Sequence, residues 1–485
     1  MLTTLLIAVP LAGALAVWVL PVSRESTSGL ALLAILAELG LWLGSARNFD
    51  FGSDLQQYSA SHTWFEELGI SYAVGLYGFQ YWLVGLTIVV GACAIGYGAW
   101  AGRDRARAYF GLQLFLVGSL VGVFAAQDLI LFYVAFEAML IPLYVLIGVW
   151  GGAGRAKATM TFVLYTMVGS LLMLAAIIAF GISQGTFLLA EIGTSTNEWV
   201  FLGFLAAFAV KAPLLPFHGW LRAAYTEAPP EVAALLSGVV SKAAVFGLVW
   251  IVLPHFPEPV EDFRELVLVL AAATLVYGLV LAFRQPDARG VLAYSSMGQM
   301  GLIVLGIFAT NDLGLDGAIL HSVSHGLVSA GLFLVAGMIE VRAGTGVFSE
   351  LGGFAKGRPL LATIVMALGM FTLAVPGSAN FAGEFAILAG VFAHGWGYAA
   401  VGAGAIVLAA LYALRLISGL LHERRGTSVR DEPDDLAGNE LALVVPLVAT
   451  LAVLSAWPAV ISERSFPADT PAEFIGAQSV PEVVP

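Results

Sequence analysis

The sequence predicts an all-α, polytopic membrane protein of about fourteen transmembrane helices, on three observations. Of its 485 residues, 59% are hydrophobic and only 11% charged, with a mean hydropathy of +0.91; soluble domains carry about 25% charged residues. The apolar residues gather into fourteen runs, each long enough to supply a spanning helix, which needs ~20 residues (about 17–25). The basic residues between those runs alternate in density from one loop to the next.

In chain order, helices 1 to 14 are expected near 2–20, 29–46, 77–101, 108–126, 129–150, 159–181, 199–216, 231–254, 265–283, 290–309, 314–341, 359–394, 396–421 and 439–461. The first run lacks a basic leading region and is long enough to span, so it is expected as helix 1 and not as a cleavable signal. Four parts follow: 1–107 (helices 1–3 and an outer loop), 108–254 (helices 4–8), 255–421 (helices 9–13), and 422–485 (a cytoplasmic loop, helix 14 and an outward-facing tail).

Lys and Arg in short loops orient a membrane chain. Loops after odd-numbered helices hold Arg24; Arg103, Arg105, Arg107; Arg155, Lys157; Arg222; Arg284, Arg289; Arg342, Lys356, Arg358; and Arg424, Arg425, Arg430. Loops after even-numbered helices, with the tail, hold Arg47, Arg264 and Arg464. This bias puts the odd loops in the cytoplasm and both termini on the outer side of the cell inner (plasma) membrane. A miscount of one helix would scramble the alternation, so its regularity supports the count.

Three basic residues remain, Lys211, Lys242 and Arg415, all inside apolar runs. A charge at mid-membrane costs at least ~2.5–3.5 kcal/mol on insertion scales. Snorkelling accounts for Arg415, near the cytoplasmic end of helix 13. It does not account for Lys242 at the centre of helix 8, and it fits Lys211 in helix 7 and Glu137 in helix 5 poorly. Two of the chain's four lysines therefore sit at depth. Glu38, mid-span in helix 2, has no evident partner, and a lipid-side or subunit contact is as good a role for it as a proton site.

Helix 7 contains Lys211-Ala-Pro213-Leu-Leu-Pro216-Phe-His218, and helix 12 contains Val375-Pro376-Gly377-Ser378 ahead of Asn380 and Glu384. Each proline removes a backbone donor and displaces a carbonyl. Broken helices in corresponding halves point to an ion site at an inverted-repeat interface. Pro213 and Pro376 lie 163 residues apart, which makes helices 4–8 and 9–13 two inverted five-helix repeats with helices 7 and 12 as equivalents. Helix 11 carries His321 and His325 at i, i+4. Without the glutamate of a metalloprotease helix and without a third ligand, they suit a proton relay near Ser322 and Ser329.

Other functions are excluded. A single cysteine, Cys93, leaves no internal disulfide and no cysteine-based zinc or iron–sulfur site. The net charge of −12, with no basic patch, argues against nucleic acid. Gly151-Gly-Ala-Gly154-Arg-Ala-Lys157 lacks the Gly-Lys-[Ser/Thr] ending of a phosphate loop and is expected to be a flexible cytoplasmic turn. There is no dinucleotide fingerprint and no haem-type histidine pair, so no redox centre, cofactor or metal is expected in this chain.

Several stretches resemble one family. Asp128-Leu-Ile-Leu-Phe-Tyr-Val-Ala-Phe-Glu137-Ala-Met-Leu-Ile-Pro142, Lys211-Ala-Pro-Leu-Leu-Pro-Phe-His218-Gly-Trp-Leu, Thr226-Glu-Ala-Pro, Leu236-Ser-Gly-Val-Val-Ser-Lys242, Ala293-Tyr-Ser-Ser296, Ser324-His325-Gly-Leu and Gly383-Glu384-Phe385 follow in order over about residues 75–460. They are similar to the antiporter-like, proton-translocating subunits shared by respiratory complex I (NADH-quinone oxidoreductase), Mrp-type cation/proton antiporters and membrane-bound hydrogenases. The wording Glu-Ala-Met-Leu-Ile-Pro and a glutamate at 384 resemble the M subunits, and the chain is too short for the lateral helix of an L subunit. It departs from the M pattern at Gln299, often histidine there, which shifts weight to His325 and His321. It departs again at Leu420-Leu-His-Glu-Arg-Arg-Gly after helix 13, which is expected to be a cytoplasmic contact.

The resemblance implies that the chain takes part in a translocase coupling NADH:quinone electron transfer to proton pumping. By that resemblance Glu137 and Lys211 form a switchable ion pair, Lys242 is the central proton store, and His325 links it to Glu384 and the outer face. His218 and His321 are candidate relays. L- and N-like subunits would be the neighbours, with flavin, iron–sulfur clusters and quinone in partner subunits. The alternatives are a subunit of an Mrp-type sodium/proton antiporter or of a membrane-bound hydrogenase.

Overall fold

The computed structural model describes residues 1–429 and 434–466; Arg430 and the expected outward tail beyond 466 lie outside them. Twelve helices among the described residues are long and apolar enough to cross a membrane. Of the two other expected spans, helix 7 is shorter than the expected 199–216, running Glu198–Lys211, and a further short helix, Leu221–Glu227, lies past the expected end; helix 12 is present as two pieces on either side of a break, Pro359–Thr372 and Ala379–His394.

The breaks have local causes. In helix 7, Pro213 and Pro216 supply no N–H, and the freed Val210 carbonyl accepts from Trp220 Nε1 at 3.0 Å across the gap. In helix 12, Ala374 and Gly377 take positive φ (47° and 91°), and Ser378 Oγ caps the second piece by accepting from Phe381 N at 3.2 Å. Helix 5 is interrupted more mildly. It runs Leu129–Ala138 and Leu140–Trp150, and Pro142 withdraws the donor that the Ala138 carbonyl would otherwise meet. Helix 14 ends at Ala456, earlier than the expected 461, because Pro458 follows; a short helix, Ala459–Ser465, lies beyond it.

Helix 11, Asp312–Ala343, lies at the centre. It packs against helices 3, 8, 10, 12 and 14. Glycines set the closest approaches. A Cβ on Gly383 of helix 12 would meet His321 Cβ at 2.9 Å and its Cα and N at 3.0 Å, so only glycine lets that helix lie against the His321 backbone. Helices 1 and 2 flank helices 3 and 4 at one edge.

Two features were not expected. The loop between helices 2 and 3 forms an antiparallel hairpin, β1 (Gln57–Phe65) and β2 (Ile70–Leu76), turning at Gly69 with φ 65°. Asp128 pins it: Oδ2 accepts from Ser71 N (3.0 Å), while Oδ1 caps helix 5 by accepting from Ile130 N (2.8 Å). The turn at 151–154, expected to be flexible, is instead held. Gly152 N donates to the Glu227 carbonyl and Gly154 N to its carboxylate, both at 2.8 Å. The glycines admit that carboxylate, since a Cβ at 152 or 154 would lie within 2.8 Å of its oxygens. Its resemblance to an anion loop is real, but the anion is the chain's own side chain.

Candidate functional site: a line of buried charge

Helix 8, Pro230–His255, is buried along its length, and two of its turns, Leu236–Val240 and Leu248–Val252, are wound as π turns on either side of Lys242. Such turns recur at functional sites because they release backbone groups from the helix ladder. Here the Ser237 carbonyl accepts from Lys242 Nζ at 2.8 Å and from Ser241 Oγ at 3.0 Å. Lys242 Nζ also donates to Ser241 Oγ (3.3 Å) and stands 3.0 Å from His325 Nδ1 on helix 11. An ammonium donates only, so Nδ1 is the accepting atom of that imidazole. Beside the pair, Ser237 Oγ donates to Ser296 Oγ at 2.8 Å and lies 2.6 Å from Ser329 Oγ.

Beyond His325 a cavity of ≈ 10 Å³, about the room of one water, is lined by Ser295, Gln299, His325, Ser329, Asn380 and Tyr412, among others. A second of the same size is lined by Gln299, Leu302, Glu384 and Leu388 among others. Glu384 is buried, and its Oε1 has no protein partner; neither do Asn380 Oδ1 and Tyr412 Oη. Orphaned polar atoms beside a space of this size form a place that can hold a water.

The other expected residues divide. His321 is brought into the group, with Nε2 2.8 Å from Gln299 Oε1 and its ring centroid 6.0 Å from that of His325. Lys211 is buried, yet its Nζ forms no hydrogen bond and lies 4.9 Å from the Phe136 ring centroid and 5.9 Å from that of Phe162. Glu137, next to Phe136 in the chain, is half-buried with Oε1 unpartnered. Among the described residues the two form no ion pair within 4 Å, so the expected pair is open in this conformation. His218 stays apart from Lys242, in the break of helix 7, edge-on to Tyr277 at 5.3 Å. Ser322 spends its hydroxyl on its own helix, donating to the Ala318 carbonyl at 2.6 Å. Arg415 lies against Phe283 and Phe348. Asn380 and Tyr412 were not singled out as site residues; polar atoms in the broken segment and in the middle of an apolar run were the available signal. No group of three or more His, Cys, Asp or Glu among the described residues is placed to hold a metal ion.

Comparison with known proteins identifies the family and the fold. The family described as NADH:quinone oxidoreductase/Mrp antiporter, TM, matches residues 126–409. NADH-quinone oxidoreductase subunit M of Mycobacterium tuberculosis (strain ATCC 25618 / H37Rv) is 35% identical over 93% of this chain and 90% of its own length. A chain of respiratory complex I from Thermus thermophilus superposes with a TM-score of 0.88 at 31% identity, over 98% of this chain and 99% of that one. A chain of the Mrp complex from Dietzia sp. DQ12-45-1b shares the fold, with a TM-score of 0.85 at 21% identity, over 99% of this chain and 52% of that one. With a matching profile over more than half its length and full-length relatives above 30% identity, the chain belongs to the NADH:quinone oxidoreductase/Mrp antiporter transmembrane family, among the M subunits of NADH-quinone oxidoreductase.

Proposed function

We propose that the chain is the proton-translocating M-type membrane subunit of an NADH-quinone oxidoreductase, coupling electron transfer in its partner subunits to proton movement along Lys211, Lys242, His325 and Glu384. The observation that carries this is the hydrogen bond between a fully buried ammonium, Lys242, and an imidazole, His325. An ionisable pair in the middle of an apolar bundle is costly, and such pairs mark ion pathways and proton relays.

Lys242 stores a proton and His325 accepts it. Glu384, which lines the second of the two cavities, receives it, with His321 and His218 as further relay candidates. Glu137 sets the charge state of Lys211. Unit charges ~4 Å apart at an effective dielectric of ~20 interact by ~4 kcal/mol. Moving one charge against 100 mV needs ~2.3 kcal/mol. The energy of a closed Glu137–Lys211 pair is therefore of the size that moving one charge across the membrane requires. The breaks in helices 7 and 12 support two inverted repeats, helices 4–8 and 9–13, within the four-part division at 107, 254 and 421. The loop charges support an inner (plasma) membrane location with both termini outside. L- and N-like subunits are the expected neighbours, and flavin, iron–sulfur clusters and quinone belong to partner subunits.

The test is Lys242→Ala and Glu137→Ala in the assembled complex, measuring protons moved per electron. Loss of pumping with the complex intact supports the assignment, and a normal ratio in both variants overturns it. Co-purification with sodium/proton antiporter or hydrogenase subunits, in place of NADH- and iron–sulfur-binding ones, would transfer the chain to those assemblies.

A further inference from the structure

The two cavities beside the buried charges have one lining residue in common, Gln299. On helix 10 it follows Ser295, which lines the cavity holding His325. It precedes Leu302, which lines the cavity holding Glu384. The spaces therefore lie on either side of it along the helix. Its Oε1 is 2.8 Å from His321 Nε2. An amide oxygen only accepts, so His321 Nε2 carries the hydrogen. His321 lines neither cavity, is fully buried, and has its backbone against Gly383. It is a fixed post, and Gln299 is tied to it.

We propose that Gln299 is the partition of the proton path and that His321 latches it. This presupposes that Lys242, His325 and Glu384 form one path. A primary amide does not titrate near neutrality, so a proton cannot rest on it as it does on an imidazole or a carboxylate. Chambers of ≈ 10 Å³ hold about one water each. With the latch closed, the Gln299 side chain stands between the chamber at His325 and the chamber at Glu384, and the path from water to water is interrupted there. When its side chain swings off His321 the chambers join, and a proton passes from water to water with no bond made to the amide. Gln299 is thus a positioning residue, and its distinguishing property is insulation.

The experiment uses the whole complex in sealed vesicles with electron transfer blocked. A pH gradient is imposed and its decay followed with an entrapped dye. In Gln299→Ala, and separately in His321→Ala, the gradient is expected to decay roughly 5- to 10-fold faster, the factor carried by one lost hydrogen bond. His321→Gln, whose amide can still donate to Gln299, is expected to be as tight as the native complex. Native decay rates in both alanine variants overturn the partition, and rapid decay in His321→Gln overturns the latch. Should Gln299→Ala not assemble, the two His321 variants decide. Lys242→Ala is assayed in parallel with electron transfer running. Normal pumping there removes the proton path itself, whereas an unchanged leak removes only the partition.

Discussion

Lys242 Nζ stands 3.0 Å from His325 Nδ1, joining helix 8 to helix 11 at the centre of the bundle. On the proposed path a proton passes between these two groups, so their substitutions are expected not to add. His325→Ala should slow proton transfer roughly 10²-fold, the usual weight of a positioned acid–base group. The double variant with Lys242→Met should be no worse than Lys242→Met alone. Proton uptake by the complex during NADH oxidation measures this; additive losses would show that the contact carries no transfer.

An ion pair between the half-buried Arg103 and a fully buried carboxylate fastens the start of helix 8. Arg103 donates to both oxygens of Glu231 at 2.7 and 2.8 Å, and Tyr109 Oη donates to the same fully buried carboxylate. Arg103→Ala strands that carboxylate and should cost ~3–5 kcal/mol. It should be read as a lowered Tm and loss of the subunit from the purified complex. Arg103→Met with Glu231→Gln should recover most of the loss, because no charge is left unpaired.

Gly383→Ala should fail where Gly404→Ala succeeds. At 383 the new methyl meets the His321 backbone, which cannot give way, and overpacking should cost ~1–3 kcal/mol along with pumping. At 404, on helix 13, nothing lies within 4 Å, and alanine should be neutral or stabilising by ~0.5–1 kcal/mol. Thermal unfolding and pumping of the two variants make the comparison.

The 151–154 turn should loosen when its anchor goes. Glu227→Ala removes the carboxylate that Gly154 N donates to. Amide hydrogen exchange at Gly154 is expected to rise about tenfold, as for one lost hydrogen bond to a charged group. An unchanged rate would return the turn to ordinary loop behaviour.

Glu38 is fully buried with neither carboxylate oxygen partnered. Removing an uncompensated buried acid costs nothing, so Glu38→Gln should keep or raise the Tm and leave proton pumping intact. A pumping defect would place Glu38 on a proton path of its own.

The bundle and most of its charged line were legible in the sequence because both rest on one-dimensional signals. Fourteen apolar runs and alternating loop charge express the bilayer, and a lysine in an oily run such as Lys242 stands out at once. Prolines 213 and 376 marked the two breaks for the same reason. What escaped depends on partners far apart in the chain. The grip of Glu227 on Gly152 and Gly154 is invisible when the loop is read alone. Gln299, discounted because it cannot titrate, acquires meaning only once His321 and two cavities surround it. The open state of Glu137 and Lys211 is a property of a conformation, which no list of residues carries. The hairpin at 57–76 had a local signal, Gly69 between two runs rich in aromatic and β-branched residues, but it is short and sits in a loop between long apolar helices.

Two over-wide turns bracket Lys242 in helix 8. Each accommodates one residue more than the ordinary winding, and one residue of an α-helix occupies ~100° of arc. If the surplus passed from one side of the lysine to the other, its ammonium would swing through about that angle while the ends at Pro230 and His255 stayed anchored. That swing would carry it away from the imidazole of His325. Slack stored in the winding itself is a swivel, and it would let a charge change neighbours inside a framework that does not otherwise move.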